Sequence, residues 1–233
     1  MTSEAMPLDD MVTQLRSDLL RFPADRYPVQ HATAQFHLGV MLTNAARVEE
    51  ADTALQVAVE LFDPAVLPGE HGKALNAWGA ALRMAGRFDE AAAAFASAAA
   101  ALKTAGLTPE RGAALFNLGL VFRDLGLDHK AAGAWAEARD HLDPEVVPAQ
   151  AAAVLRELGV LRLHLGDFDG AHDVLTKAVE LAMRASDEFG LAAASNALGL
   201  VELARGRPEH AVTAFRDVVA ARLCSGRRLT MRS

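Results

Sequence analysis

The chain has 233 residues, a formal net charge of −7, and a composition that is 52% hydrophobic and 23% charged. That is enough chain for a sizeable core in one or two conventional domains or one elongated array, and the acidic balance argues against general affinity for nucleic acid. The single cysteine, Cys224, cannot form an internal disulfide, so nothing requires an oxidising compartment.

At the N-terminus, "MTSEAMPLDDMVTQLRSDLLRF" carries acids early and lacks an unbroken apolar core, so it reads poorly as a secretion signal. Leu8, Met11, Leu15, Leu19 and Phe22 fall on roughly one helical face, so residues 1–30 are expected to supply a capping helix and a linker. No window approaches a membrane span; the alanine-rich 91–102 stretch is too short and too weakly hydrophobic. The expectation is a soluble, cytoplasmic protein that binds neither nucleic acid nor membrane.

From residue 31 onward the sequence repeats. Leu38-Gly39, Trp78-Gly79, Leu118-Gly119, Leu158-Gly159 and Leu198-Gly199 are spaced by 40 residues at every step (79 − 39, 119 − 79, and so on). An alanine column follows at the same period (Ala51, Ala91, Ala131, Ala171, Ala211), and four residues after each comes a large apolar residue: Leu55, Phe95, Trp135, Leu175, Phe215. A third column, Ala58, Ala98, Ala138, Ala178 and Val218, shares that helical face. Met11 and Leu15 lie 40 before Ala51 and Leu55, which makes the N-terminal helix the second half of an incomplete copy.

Each copy reads as two helices. In the third, helix A is expected over about 110–124, a turn at Gly126-Leu127-Asp128, and helix B over about 129–142. Gly86, Gly126, Gly166 and Gly206 form one turn column, with Ala46 as the exception; Pro28, Pro68 and Pro148 form another between copies, and Asp63-Pro64 and Asp143-Pro144 lie two copies apart. A helix-interior glycine costs about 1 kcal/mol relative to alanine, so five in a column cost about 5 kcal/mol unless they are used. The expected use is close approach, with helix B of the same hairpin placing its large side chain where a methyl would be.

These columns resemble the tetratricopeptide repeat, with signature W-x2-L-G-x2-Y followed by A-x3-F. Leu115-x2-Leu118-Gly119-x2-Phe122 with Ala131-x3-Trp135 is the best match, and the resemblance covers roughly 30–223. The usual repeat is about 34 residues, so each copy here is about six longer, similar to the repeats of kinesin light chains and of bacterial regulatory proteins. The tyrosine-like position becomes Arg162 and Glu202 in the last two copies. The resemblance implies an all-α, right-handed superhelical solenoid of helical hairpins, with five repeats at about 31–70, 71–110, 111–150, 151–190 and 191–223 and a polar tail, 224–233. The last helix, about 208–223, is apolar around much of its circumference (Ala211, Val212, Phe215, Val218, Val219, Leu223). Without a dedicated cap, it either meets a second subunit, giving a homodimer, or is covered by the tail or a longer chain.

Nothing encodes chemistry. His164, Asp167, Asp169 and His172 match no zinc or calcium spacing, and their acids are expected to cap the following helix. Cys224 has no histidine beside it, and Glu49-Glu50 and Asp89-Glu90 fall at B-helix starts, where the helix dipole favours acids. No catalytic residue, metal or cofactor is assigned.

The resemblance implies instead that A helices line a concave groove that holds peptides. Its lining positions map onto Phe36, Lys73, Asn76, Arg83, Phe116, Asn117, Arg123, Arg156, His164 and Asn196, together with Val40, Ala80, Leu120, Val160 and Leu200. Asparagine amides there can bond a peptide backbone, and the basic residues suit an acidic or carboxylate-bearing peptide. The family's carboxylate clamp is absent, since its positions are apolar here (Val40, Ala80, Leu120, Val160). The bland alternative for Arg83 and Arg123 is that they lie across alanine-rich surface or pair with Asp124 and similar acids. The expected function is a non-catalytic adaptor or scaffold; the rivals are a peptide-sensing regulatory protein, an enzyme with an unfamiliar site in the groove, and a self-assembling element.

Overall fold

The computed structural model describes residues 8–216, and all regular structure among them is helical. Ten helices follow in order: α1 (Leu8–Arg21), α2 (Pro28–Asn44), α3 (Val48–Leu61), α4 (Pro68–Met84), α5 (Phe88–Thr104), α6 (Thr108–Asp124), α7 (Asp128–His141), α8 (Pro148–His164), α9 (Phe168–Arg184) and α10 (Glu188–Ala204). An eleventh helical stretch, α11, is described over 208–216. Val218, Val219, Leu223, Cys224 and the 224–233 tail lie outside the described residues, as do residues 1–7. The even-numbered helices are the A helices of the repeat and the odd-numbered ones the B helices. The architecture is the helical-hairpin repeat of a solenoid. The chain divides after Leu127 into two compact units, a division that falls between helices A and B of the third copy.

The turn column works through backbone geometry. Gly86, Gly126, Gly166 and Gly206 have φ of 74°, 71°, 78° and 71°, and the chain past each closes back onto the helix, as in Arg87 N–H to Leu82 O at 2.9 Å and Asp167 N–H to Arg162 O at 3.0 Å. This left-handed cap satisfies end carbonyls and favours glycine. Ala46 adopts the same conformation at φ 57°.

Connections between copies come in two kinds. After α5 and α9, Gly106 (φ 70°) and Ser186 (φ 53°) repeat the left-handed cap. After α3 and α7 the helices stop earlier, at 14 rather than 17 residues, because Pro64 and Pro144 cannot continue them. Asp63 and Asp143 there accept from the backbone N–H of Ala65 (2.8 Å) and Glu145 (2.9 Å). Pro28, Pro68 and Pro148 open the next A helices at the first helical position, where no intrahelical donor is lost.

Within the first unit, the glycine column is a packing device. A Cβ on Gly79 would fall 2.9 Å from the Phe95 ring, and one on Gly39 would fall 2.7 Å from Leu55 Cδ2. Leu55 and Phe95 are fully buried, as are Ala51 and Ala91 beneath them. Each buried large side chain contributes about 1.5–3 kcal/mol, which offsets the helix cost of the glycine it covers. In the second unit Gly159 meets Leu175 and Gly199 meets Phe215 in the same way. α1 stands in the B-helix place before α2: Leu15 and Leu19 pack against a core containing Leu38, Leu42 and Leu55. Its inward residue is Val12, whereas Leu8 and Met11 are exposed. Val12, Leu15 and Leu19 form the tighter i, i+3, i+7 stripe, so the helix is rotated slightly from the face its sequence suggests.

Candidate functional site

In the first unit α2, α4 and α6 enclose a cleft of about 350 Å³. Its floor is apolar, from Phe36 and Val40 on α2 and Ala77 and Ala80 on α4, with Lys73, Asn76 and Glu110 among its polar lining. These side chains meet because A-helix positions four apart share a face. Phe36 and the aliphatic stem of Lys73 can cover apolar ligand surface while the ammonium stays at the edge. Among the described residues no carboxylate pairs with Lys73.

Asn117 donates through Nδ2 to Asn76 Oδ1 at 3.1 Å. That leaves the Asn76 amino group and the Asn117 carbonyl oxygen as a donor and an acceptor on neighbouring A helices, a pair suited to a backbone amide. Phe116 is half-buried on α6.

Two of the mapped arginines converge on one acid. Arg83 Nε donates to Asp124 Oδ2 at 2.6 Å, and Arg123 lies 3.6 Å from Asp124 Oδ1. The bland alternative for Arg83 is thus the contact the structure contains: Asp124 neutralises much of the positive charge at this end of the face.

Seven of the ten mapped residues (Phe36, Lys73, Asn76, Arg83, Phe116, Asn117, Arg123) belong to the first unit; Arg156, His164 and Asn196 belong to the second. There Arg156 is held by the buried Glu157 at 2.6 Å, and His164, the last residue of α8, is exposed. Asn196, Leu200 and Leu203 are exposed along one side of α10, making that surface apolar with a single amide.

Sequence reasoning missed Glu110, Thr43 and Asn44 on the cleft wall; the signal for Glu110 was its place three residues before the Lys73-equivalent position, one repeat on. It also missed a polar cluster in the second unit. Glu202 is 2% exposed, with His172 Nδ1 2.7 Å and Arg205 3.0 Å from its Oε1, and Arg205 reaches Asp169 at 2.9 Å. The charged residue in the tyrosine-like column was its trace in the sequence. Asp167 caps α9 by accepting from Gly170 N–H at 3.0 Å, so these acids serve helix ends and ion pairs. Among the described residues no three metal-ligating side chains gather, and no helix is long and apolar enough to cross a membrane.

Family models described as tetratricopeptide repeat match residues 76–147 and 150–223. No curated protein is similar to the chain in sequence. Among solved structures, BtubC (BKLC) from P. vanneervenii is similar over 95% of this chain and 93% of its own, at 19% identity and a TM-score of 0.79. The apo form of RapI is similar over 92% and 91%, at 11% identity and a TM-score of 0.74. Aspartyl phosphate phosphatase F of Bacillus subtilis is similar over 92% of this chain and 67% of its own, at 12% identity and a TM-score of 0.71. At these identities the likeness is one of fold.

Proposed function

The chain belongs to the tetratricopeptide-repeat family, whose fold generally mediates protein–protein interaction, and we propose that it is a non-catalytic adaptor that holds an extended, acidic peptide on its A-helix face. The observation that carries this reading is the first-unit cleft: an apolar floor of Phe36, Val40, Ala77 and Ala80 beside the unpaired Lys73 ammonium and the Asn76–Asn117 amide couple. An apolar side chain would enter the cleft, the peptide backbone would bond the asparagines, and a carboxylate would meet Lys73. The stacked helices keep these groups fixed before binding, which lowers the ordering cost of association. Glu110 across the cleft disfavours a second carboxylate there, so one acid next to an apolar residue fits better than an acidic run.

Selection from a displayed peptide library tests this. The wild-type chain should enrich peptides pairing one Asp or Glu with a neighbouring apolar residue, and Lys73→Glu should lose that preference. Enrichment of the same sequences by both proteins would remove Lys73 from the site, and no enrichment at all would contradict peptide binding.

A further inference from the structure

The first unit carries a second cleft, of about 320 Å³, between α1 and α2. Its meaning follows from the repeat. Leu15, Asp18, Phe22, Thr33 and Ala34 line it; forty residues on, they become Leu55, Ala58, Phe62, Lys73 and Ala74. The two sets share one geometry. His31 Nδ1 meets the Phe22 carbonyl oxygen at 2.8 Å, and His71 Nδ1 meets that of Phe62 at 2.9 Å.

In the later copy Ala58, Phe62 and Ala74 form one buried cluster with Ala32, and Phe36 packs against it. Both of these come from the preceding A helix, α2. In the first copy the Phe22 and Ala34 equivalents are in place, but no preceding A helix exists among the described residues. The cleft opens where its side chains would lie. Apolar surface shaped by a repeating helix contact is fitted to a helix.

Charge narrows the occupant. Among the described residues Asp18 stands in a column that otherwise holds the fully buried Ala58, Ala98, Ala138 and Ala178. Among the described residues its carboxylate has one polar contact, a weak 3.4 Å hydrogen bond from Gln14 Nε2, and no lysine or arginine lines the cleft. A carboxylate at that place calls for a cation on the incoming helix, at the position equivalent to Ala32. The chain's own A helices are engaged: α2, α4, α8 and α10 pack on their own or adjoining B helices, and α6 packs on α5. None is spare for a second copy.

We propose that the α1–α2 cleft is a docking site for a basic amphipathic helix of a partner protein, which takes the place that α2 holds against the next copy. This site is separate in residues and opposite in charge preference from the peptide cleft of α2, α4 and α6.

The probe is a 17-residue peptide with the sequence of α8, Pro148–His164, an A helix of this chain, bearing Ala152→Lys at the position equivalent to Ala32. A staple on its outward side keeps it helical, because an isolated helix of this length is marginal in water. Binding to the full chain is read by fluorescence anisotropy. Thr33→Arg, on the exposed surface of α2, should weaken binding about tenfold or more, with the circular dichroism spectrum unchanged. Asp18→Lys should do the same, and the matching Ala152→Glu peptide should restore binding to it. Lys73→Glu should leave the affinity unaltered, which separates this site from the peptide cleft. No binding of the stapled probe, or equal affinity for wild type and Thr33→Arg, would overturn the proposal. So would self-association that Thr33→Arg abolishes, which would assign the cleft to a second copy, or tighter probe binding after removal of residues 1–7, which would assign it to the chain's own N-terminal segment.

Discussion

The Phe95 ring packs against the backbone of Gly79, close enough that a Cβ there would sit 2.9 Å from its Cδ1. Phe95 is 1% exposed, so the ring has nowhere to retreat. Gly79→Leu should therefore overpack the hairpin and lower stability by about 1–3 kcal/mol despite leucine's better helix propensity. Chemical denaturation checks it; an unchanged midpoint would contradict the close-approach account of the column.

Ala46 stands at φ 57° in a column otherwise filled by glycine. A left-handed conformation costs a non-glycine residue about 1–2 kcal/mol, partly offset by the smaller unfolded-state entropy of alanine. Ala46→Gly should raise stability by about 0.5–1 kcal/mol, measured by the same denaturation curves. A loss of stability would mean that the turn does not need the left-handed conformation.

Asp124 holds Arg83 at 2.6 Å and Arg123 at 3.6 Å. Asp124→Asn should cost less than about 1 kcal/mol of stability, as partly exposed pairs do, while releasing positive charge near the α4–α6 end of the face. The affinity for a selected acidic peptide should rise severalfold at low salt, and the gain should shrink as salt is added. A weaker affinity would place the peptide's charge elsewhere.

The B-helix starts carry pH dependence. Hydrogen bonding from Arg47 holds Glu50 below its ordinary range, and hydrogen bonding from Arg87 does the same for Glu90. A depressed folded-state pKa gives stability that is full above the unfolded value of 4.5 and is lost as pH falls through the lower folded value. The thermal midpoint should be level from pH 7 to about 5.5 on account of these groups and should fall below about 4.5. Arg87→Gln should flatten part of that acid limb, an effect that 0.5 M salt, as roughly chosen to shorten the Debye length, should reduce in the wild type. An identical acid limb in Arg87→Gln would remove Glu90 from the account.

The repeat was legible because its marks are steric. A glycine under Leu55 or Phe95 and an alanine that is fully buried, such as Ala51 or Ala91, admit few substitutes, so the 40-residue period survives in plain sequence. The glycine and proline punctuation was legible for the same reason. The charge state of the face was harder to read. Arg83 and Asp124 are 41 residues apart, so the sequence offers their pairing only as one of two alternatives and the structure decides it. Glu110 has only its repeat position to single it out, because acids occur throughout the chain. On α1 the inward residue is Val12 and not the expected Met11, since a short helix with apolar residues at both positions fits two stripes nearly equally. The α1–α2 cleft has no local signature, because its meaning lies in the contacts made around Ala74, 40 residues from Ala34.

The most direct test of the central claim is the affinity of a selected acidic peptide for three chains: wild type, Phe36→Asp, and Arg139→Glu as an exposed control in the second unit. Calorimetric titration should show a loss of about tenfold or more for Phe36→Asp, which places a charge in the apolar cleft, and no change for Arg139→Glu. Equal affinity for wild type and Phe36→Asp would contradict the cleft as the peptide site.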